Sequence, residues 1–397
     1  MRSLRVEEQR EMMRRVAWVL VIVLAATWGI QAQTAPAQAR RDQIHETYDL
    51  AAGGTVSVTN ISGYIRITSW DENRVKVDAV KRGGPSENDQ VDVQVSASAA
   101  VVVVRVVTDR TNPSRLRDYG VVVDIDLKVP RTALLTPIVT ISGEIRVTGP
   151  VAQLTARSTS GQIEAHDIKG PASLTTASGA LLASGIGSAN SQNVVSTMSG
   201  RIVLDRVTGR TSARSIAGAV TVTDSDGDVG ADSTGGLVVV ERVRGRVNAS
   251  SQGGKVVVRN VQEGANARAV GGSVEITEAK GRIVATTISG SIALSGVDSR
   301  DVTARSSNGS VAFVGRINPD GRYSFESFSG SISLLIPAES QFNLTATSHN
   351  GGINTEFPIR VEGGLGNDRQ LRGTAGQGGA EIIATGFNGR IEIKKQK

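Results

Sequence analysis

The chain has 397 residues, 44 Lys and Arg against 38 Asp and Glu, a formal charge of +6 and only 3% aromatic residues. It contains no cysteine, which excludes disulfides, thiolate metal sites, a catalytic thiol and covalent haem attachment. The small basic excess is spread among acids and does not point to nucleic acid, and a folded part drawn from Val, Ile, Leu, Ala, Ser, Thr and Gly suits thin stacked strands better than a bulky globule.

Arg14 and Arg15 precede Val16 to Ile30, fifteen uncharged and mostly apolar residues, and Ala37-Gln38-Ala39 follows as a cleavage signal. Residues 1–39 read as a signal peptide. The run is shorter than the roughly 20 residues of a spanning helix, so contact with a membrane is expected only through this segment, if it stays uncleaved. The remainder is expected to be exported, to the periplasm or the cell surface.

Residues 43–137 show β-like alternation without a regular period, as in Thr55 to Thr59, Tyr64 to Thr68, Arg74 to Val80 and Val101 to Val107. Turn chemistry separates these runs, for example Asp71-Glu72-Asn73 and Asn112-Pro113. They are expected to form a β-rich N-terminal cap that covers the first sticky strand edge.

Across residues 138–357 a glycine returns every eighteen residues: Gly143, Gly161 and Gly179, then after a three-residue insertion Gly200, Gly218, Gly236 and onward to Gly290. The second and fourth residues after each are apolar, as in Ile202 and Leu204 or Val256 and Val258. About nine residues on comes a second turn, then a second strand with small inward places such as Ala213, Ala231 and Ala249. This period predicts an all-β fold, a narrow parallel β-solenoid (β-helix-like) of about 18-residue coils with two strands and two turns each. The glycines, most of them after Ser or a second Gly, are read as turn residues that supply backbone freedom, with Ser bonding locally. Residues eighteen apart then stack in rows: Arg206, Asp224 and Arg242; Arg210, Asp228 and Arg246; Arg214 and Asp232. Alternating charge at that spacing helps fix register. Later coils lengthen, with turns at Gly309, Gly330 and Gly352, and residues 358–397 read as a Gly-rich loop from Val361 to Gly379 followed by C-terminal closing strands.

Little in the chain points to catalysis. Asp224-Ser-Asp226-Gly-Asp228 has the composition of a calcium loop, but a calcium-binding β-roll needs that loop in successive coils and here it occurs once. His45, His166 and His349 lie far apart, so no metal site or cofactor is expected. Glu144, Glu164, Asp205 and Glu241 form no carboxylate ladder of constant spacing, as polysaccharide chemistry would use. Ser-Gly pairs lack the context of a nucleophile elbow, and the acceptor motifs at Asn60-Ile61-Ser62 and Asn308-Gly309-Ser310 are short enough to arise by chance.

The opening from Gly54 to Asp71, the Val129-Pro130 step and the serial Ser-Gly-x-Ile/Val-x-Val coils resemble the bacterial putative-adhesin family of exported β-solenoids, a domain of unknown function. The resemblance spans roughly Thr55 to Ile393 and implies adhesion by shape, with no catalytic residues to carry over. The expected role is an exported, non-enzymatic, adhesin-like solenoid that binds an envelope protein or glycan, with Arg201, Arg242, Lys255, Arg259 and Arg282 as surface recognition residues. An envelope structural scaffold and a polysaccharide-active β-helix enzyme are the alternatives. Mass spectrometry of the chain from its native envelope is expected to find a mature N-terminus near Gln33 or Arg40; an intact N-terminus in the inner membrane would refute cleavage.

Overall fold

The computed structural model describes residues 42–84, 88, 90–108, 121–361 and 369–396. Apolar residues two and four places after each repeat glycine put a buried face on strands Ile202–Val207, Val220–Ser225 and Val238–Val243. These strands pair in parallel, Ile202 opposite Val220 and Val220 opposite Val238. The second half of each coil adds a strand to a facing sheet, as in Arg210–Ser215, Val229–Ser233 and Val247–Ser251, with Ala213, Ala231 and Ala249 buried between the sheets. The fold is the expected parallel β-solenoid. The sheet that follows each repeat glycine is here the front sheet and its partner the back sheet.

The repeat glycines serve a purpose other than the one expected from their turn chemistry. None from Gly143 to Gly330 has a left-handed φ. Each lies directly on the glycine of the coil before it, so a Cβ on Gly236 would overlap the carbonyl oxygen of Gly218, and one on Gly254 that of Gly236. The same contact runs from Gly63 through Gly143 to Gly330, then to Gly389 and finally Gly351. Space for the neighbouring carbonyl is the requirement. Gly351 holds this place at the C-terminal end, whereas Gly352, the expected turn, meets nothing within 4 Å.

The bonding hydroxyl is also not the serine beside the glycine but the residue three places earlier. Gly218 N–H donates to Ser215 Oγ at 2.9 Å, and Ser215 Oγ donates to the Gly200 carbonyl at 3.0 Å. Thr176, Thr197, Ser233, Ser251 and Ser348 make both bonds in their own coils, and Thr287, Ser306 and Ser327 donate to the preceding glycine. A buried hydroxyl relay therefore ties coil to coil. It is broken at buried Ala269 and at Gly386, which offer no hydroxyl, and at Thr140, whose buried hydroxyl bonds neither Gly143 nor the glycine before it. In the first coil Asn60 takes the place, its Nδ2 donating to the Val123 carbonyl at 2.8 Å. Asn60 is 1% exposed, so the acceptor motif around it is part of the core.

A second column of backbone geometry marks the opposite edge. Six residues after each repeat glycine from Gly143 to Gly290 the chain enters the left-handed region, at Asp167, Arg206 (φ 50), Asp224 (φ 55), Arg242 (φ 54), Asn260 and Glu278, and at Gly149, Gly185 and Gly296. One left-handed residue breaks the alternation, so that Val207, Val243 and Val261 turn back into the core directly after an exposed neighbour. For a side-chain-bearing residue this costs on the order of 1 kcal/mol.

At both ends the spatial order of coils departs from chain order. Thr55–Thr59 and Ile65–Trp70 stack between Val101–Thr108 with Val122–Pro130 on one side and Leu134–Thr140 with Ile145–Val151 on the other. Ala380–Gly386 and Ile391–Gln396 likewise lie between Arg322–Ser327 with Ile332–Pro337 and Phe342–Ser348 with Ile353–Thr355. Antiparallel strands lie beyond them: Arg74–Arg82 and Gln43–Asp49 on the front sheet, Val91–Ala97 on the back sheet, and Gln370–Ala375 with Ile359–Val361 at the C-terminal end. Gln370–Ala375 thus corrects part of the expected loop, because the free edge of Phe342–Ser348 organises it into a strand. The lengthened coils enclose larger side chains, with Phe313 against Phe325 and Tyr323, whose hydroxyl donates to the Ser299 carbonyl at 2.7 Å.

The relay sets a stability test. Ser233→Ala leaves a buried N–H and a buried carbonyl without their hydroxyl and is expected to cost about 1–3 kcal/mol, while Ala269→Ser supplies the missing group and should gain about 1 kcal/mol. Gly236→Ala forces two coils apart and should cost more than either, roughly 3 kcal/mol or more. Denaturant midpoints of the three variants check the order.

Candidate interaction surface

A flattened coil offers two faces and two edges. On the front face Glu241, Arg259, Glu275 and Lys255 form one chain of ion pairs: Arg259 reaches Glu241 at 2.7 Å and Glu275 at 3.1 Å, and Lys255 reaches Glu275 at 2.5 Å. Glu144 and Glu164 both pair with Arg146, and Asp205 pairs with Arg206. Each carboxylate considered for polysaccharide chemistry thus ends on an arginine on the outer face.

The edge opposite the glycines carries the charge rows. Arg242 holds Asp224 in a two-point contact, Nε to Oδ1 at 2.6 Å and a terminal nitrogen to Oδ2 at 3.0 Å. Arg244 reaches Asp226 at 2.9 Å and the Arg246 backbone N–H donates to Asp228 Oδ1 at 3.0 Å, while Arg214 reaches Asp232 at 3.2 Å on the back sheet toward the glycine edge. The Asp224 to Asp228 loop is therefore matched by arginines of neighbouring coils, and a shallow groove lies between the ridges of Arg206, Asp224 and Arg242 and of Asp226, Arg244 and Gln262. Among the described residues no three His, Cys, Asp or Glu side chains are placed to hold a metal ion. His45 bonds Asp78, His166 bonds Ser184 and His349 stacks on Phe387.

Of the five predicted recognition residues, four are engaged: Arg242, Lys255 and Arg259 as above, and Arg282 with Asp301 at 3.2 Å. Arg201 stands exposed beside the glycine edge with no ion pair among the described residues. These residues do not converge. Arg242 and Arg282 lie toward the charged edge, Arg259 on the front face, and Arg201 and Lys255 along the flank of the glycine edge.

The glycine edge carries a feature that the strand pattern hid. Two places before each repeat glycine the side chain points out of the turn, and along the solenoid these places hold Met198, Ile216, Val270, Ile288, Phe328 and Phe387. Met198 is 53% and Phe328 52% exposed, far more than a core residue tolerates. Exposed Ile141 holds the same place further toward the N-terminal end, and Thr159, Ala177, Thr234, Gln252 and Ser307 interrupt the line. The backbone of the edge is itself a parallel ladder, with Ala217 N–H on the Met198 carbonyl at 2.8 Å and Gly235 N–H on the Ile216 carbonyl at 2.8 Å. The side chains therefore stand on a rigid crest at the coil spacing of about 4.8 Å. At its C-terminal end Phe328, Phe387 and His349 stack face to face, with centroids 4.6 and 4.7 Å apart. Because Phe387 comes from the inserted coil, this stack joins residues whose chain order is 328, 349, 387. The apolar residues two before each glycine were the signal available in the sequence.

The charged pairs set a pH test. Its hydrogen bond to Arg242 holds the Asp224 carboxyl below its ordinary range, and Lys255, then Arg259, do the same for Glu275. Folded-state values below unfolded ones give stability that is complete above the ordinary carboxylate pKa and is lost as pH falls through the depressed values. The melting temperature is expected to hold from about pH 7 to pH 5 and to fall below about pH 4. The double variant Asp224→Asn, Glu275→Gln should lower the plateau slightly and flatten the acid fall; thermal melts across pH check this.

No curated protein matches the chain. Among solved structures, a putative adhesin from Bacteroides fragilis is 14% identical with a TM-score of 0.30, over 70% of this chain and 100% of that one. A putative cell adhesion protein from Clostridium sporogenes is 9% identical with a TM-score of 0.16, over 89% and 100%. A putative lipid binding protein from Parabacteroides distasonis is 9% identical with a TM-score of 0.18, over 90% and 97%. Residues 219–394 match the Toastrack DUF4097 family model. The resemblance to the putative-adhesin β-solenoids that the repeat suggested thus holds, and its family match is to Toastrack DUF4097.

Proposed function

We infer that this chain is an exported, non-enzymatic, adhesin-like binding module that recognises a macromolecule at the cell envelope. The observation that carries the reading is the crest: large apolar side chains held at fixed spacing, exposed, along one edge of a rigid solenoid. Exposed apolar residues scattered singly need no explanation, but a line of them tied to one backbone ladder is an interaction feature. Arg201 and Lys255 on its flank add polar contacts, while Arg242, Arg259 and Arg282 lie off the crest and serve the stacking of coils. The hydrophobic segment Val16 to Ile30, outside the described residues, is what favours export. Carboxylates consumed in ion pairs on the outer face favour recognition over polysaccharide cleavage.

Affinity recovery of the full chain from detergent extract of its native envelope, read by mass spectrometry and glycan analysis, is expected to yield a partner. The triple variant Met198→Ser, Ile288→Ser, Phe328→Ser should lose at least about 90% of it with its melting temperature nearly unchanged, since exposed sites contribute little to folding. Undiminished recovery with the variant would refute the crest as the binding feature.

A further inference from the structure

Two columns of side chains flank the crest with an excess of positive charge, although Arg214, Arg305, Lys255 and Arg390 are ion-paired. On the back-sheet flank, four places before each glycine, stand Arg157, Arg214, Arg268 and Arg305 against Asp232 and Glu326. On the front-sheet flank, one place after it, stand Arg201, Lys255 and Arg390 against Glu144. Arg157, Arg201 and Arg268 are exposed and make no ion pair among the described residues. On the opposite edge, by contrast, Asp224, Asp226 and Asp228 are interleaved with Arg242, Arg244 and Arg246, and no apolar line runs between them.

We propose that the glycine edge docks on an anionic lipid surface, the aliphatic and aromatic crest entering the interface and the flanking arginines meeting the headgroups. This deepens the binding-module reading and rests on it. The partner follows from shape and charge. The crest is a convex turn, so it encloses neither an extended peptide nor a sugar chain, whereas a deformable bilayer closes around a ridge. Apolar residues backed by Arg and Lys are the combination that binds in the plane of an anionic interface. Long arginine side chains reach past the crest to headgroup level while their stems lie along it. A second copy fits less well, because packing crest on crest sets basic flank against basic flank. Docking by this edge lays the solenoid along the membrane and leaves both sheet faces and the charged edge open.

The test uses the absence of cysteine from the chain. Single variants Met198→Cys and Ile288→Cys on the crest, and Gln262→Cys on the charged edge, are made in the full-length chain and labelled with bimane. Each is mixed with phosphatidylcholine vesicles, with or without about 30% phosphatidylglycerol, carrying doxyl-labelled lipid. The expected result is quenching at 198 and 288 but not at 262, with binding about tenfold weaker when phosphatidylglycerol is omitted or salt is raised to about 0.5 M. In the same assay Arg157→Glu, Arg201→Glu, Arg268→Glu should abolish the phosphatidylglycerol dependence. Because the segment Val16 to Ile30 can itself hold the chain on vesicles, bound protein without quenching at 198 and 288 overturns the proposal, as does equal quenching at 262. If the crest is not quenched but an envelope protein or glycan is still recovered through Met198, Ile288 and Phe328, the lipid assignment falls and the binding module stands. If the crest serves neither, both fall.

Discussion

The coils of this solenoid rest on the contact between each repeat glycine and the carbonyl of the one before it. Stacking at strand spacing brings two backbones together at a tight turn, and the absence of a side chain is what lets the carbonyl pass. That close approach creates a need as well as a contact, because the glycine N–H and the neighbouring carbonyl are shut away from water. The hydroxyl three residues earlier answers both, accepting from one and donating to the other. Glycine and hydroxyl are thus one unit repeated along the stack, and its lapses at Thr140, Ala269 and Gly386 are places where the coils are joined by backbone pairing and apolar contact alone.

The functional surfaces follow from that unit. Closing the turn over a glycine turns the side chain two places earlier outward, and strict stacking lines those side chains into a crest. On the other edge the left-handed column does the opposite work. It lifts Arg206, Asp224 and Arg242 out of the strand so that Asp224 and Arg242 meet across coils, while the next residue returns to the core. One edge consumes its charges in register, and the other presents apolar groups with a surplus of positive charge on its flanks. The two edges of a coil with the same backbone period therefore have different chemistry.

The ends follow the same logic. A plain stack would finish in two parallel strands with unpaired backbone groups, an invitation to further association. Here an early coil and the last coil are each clamped between others, and antiparallel strands lie beyond. The insertion also brings Phe387 between Phe328 and His349, which gives the crest its aromatic end.

What the sequence determined by itself was whatever depends on a local period. The eighteen-residue glycine return, the apolar second and fourth places and the alanines of the second strand specify two facing parallel sheets, because strand alternation and coil length are properties of neighbouring residues. The rows of Arg206, Asp224 and Arg242 were legible for the same reason, as were Arg214 beside Asp232 and the family resemblance. The tertiary structure decided what depends on contact between coils. It showed that Gly236 is required by the carbonyl of Gly218 and not by its own φ, since only the stack brings that oxygen close. It assigned the bonding role to Ser215 in place of the serine next to the glycine, and it moved the last coil inside the stack. Lys255, Arg259 and Arg282 read as free cations in the sequence because their acids lie sixteen to twenty residues away, a separation that only stacking brings within reach. The crest was hidden for the complementary reason: Met198, Ile216 and Phe328 look like core residues in a chain of buried valines, and only the path of the turn points them to solvent.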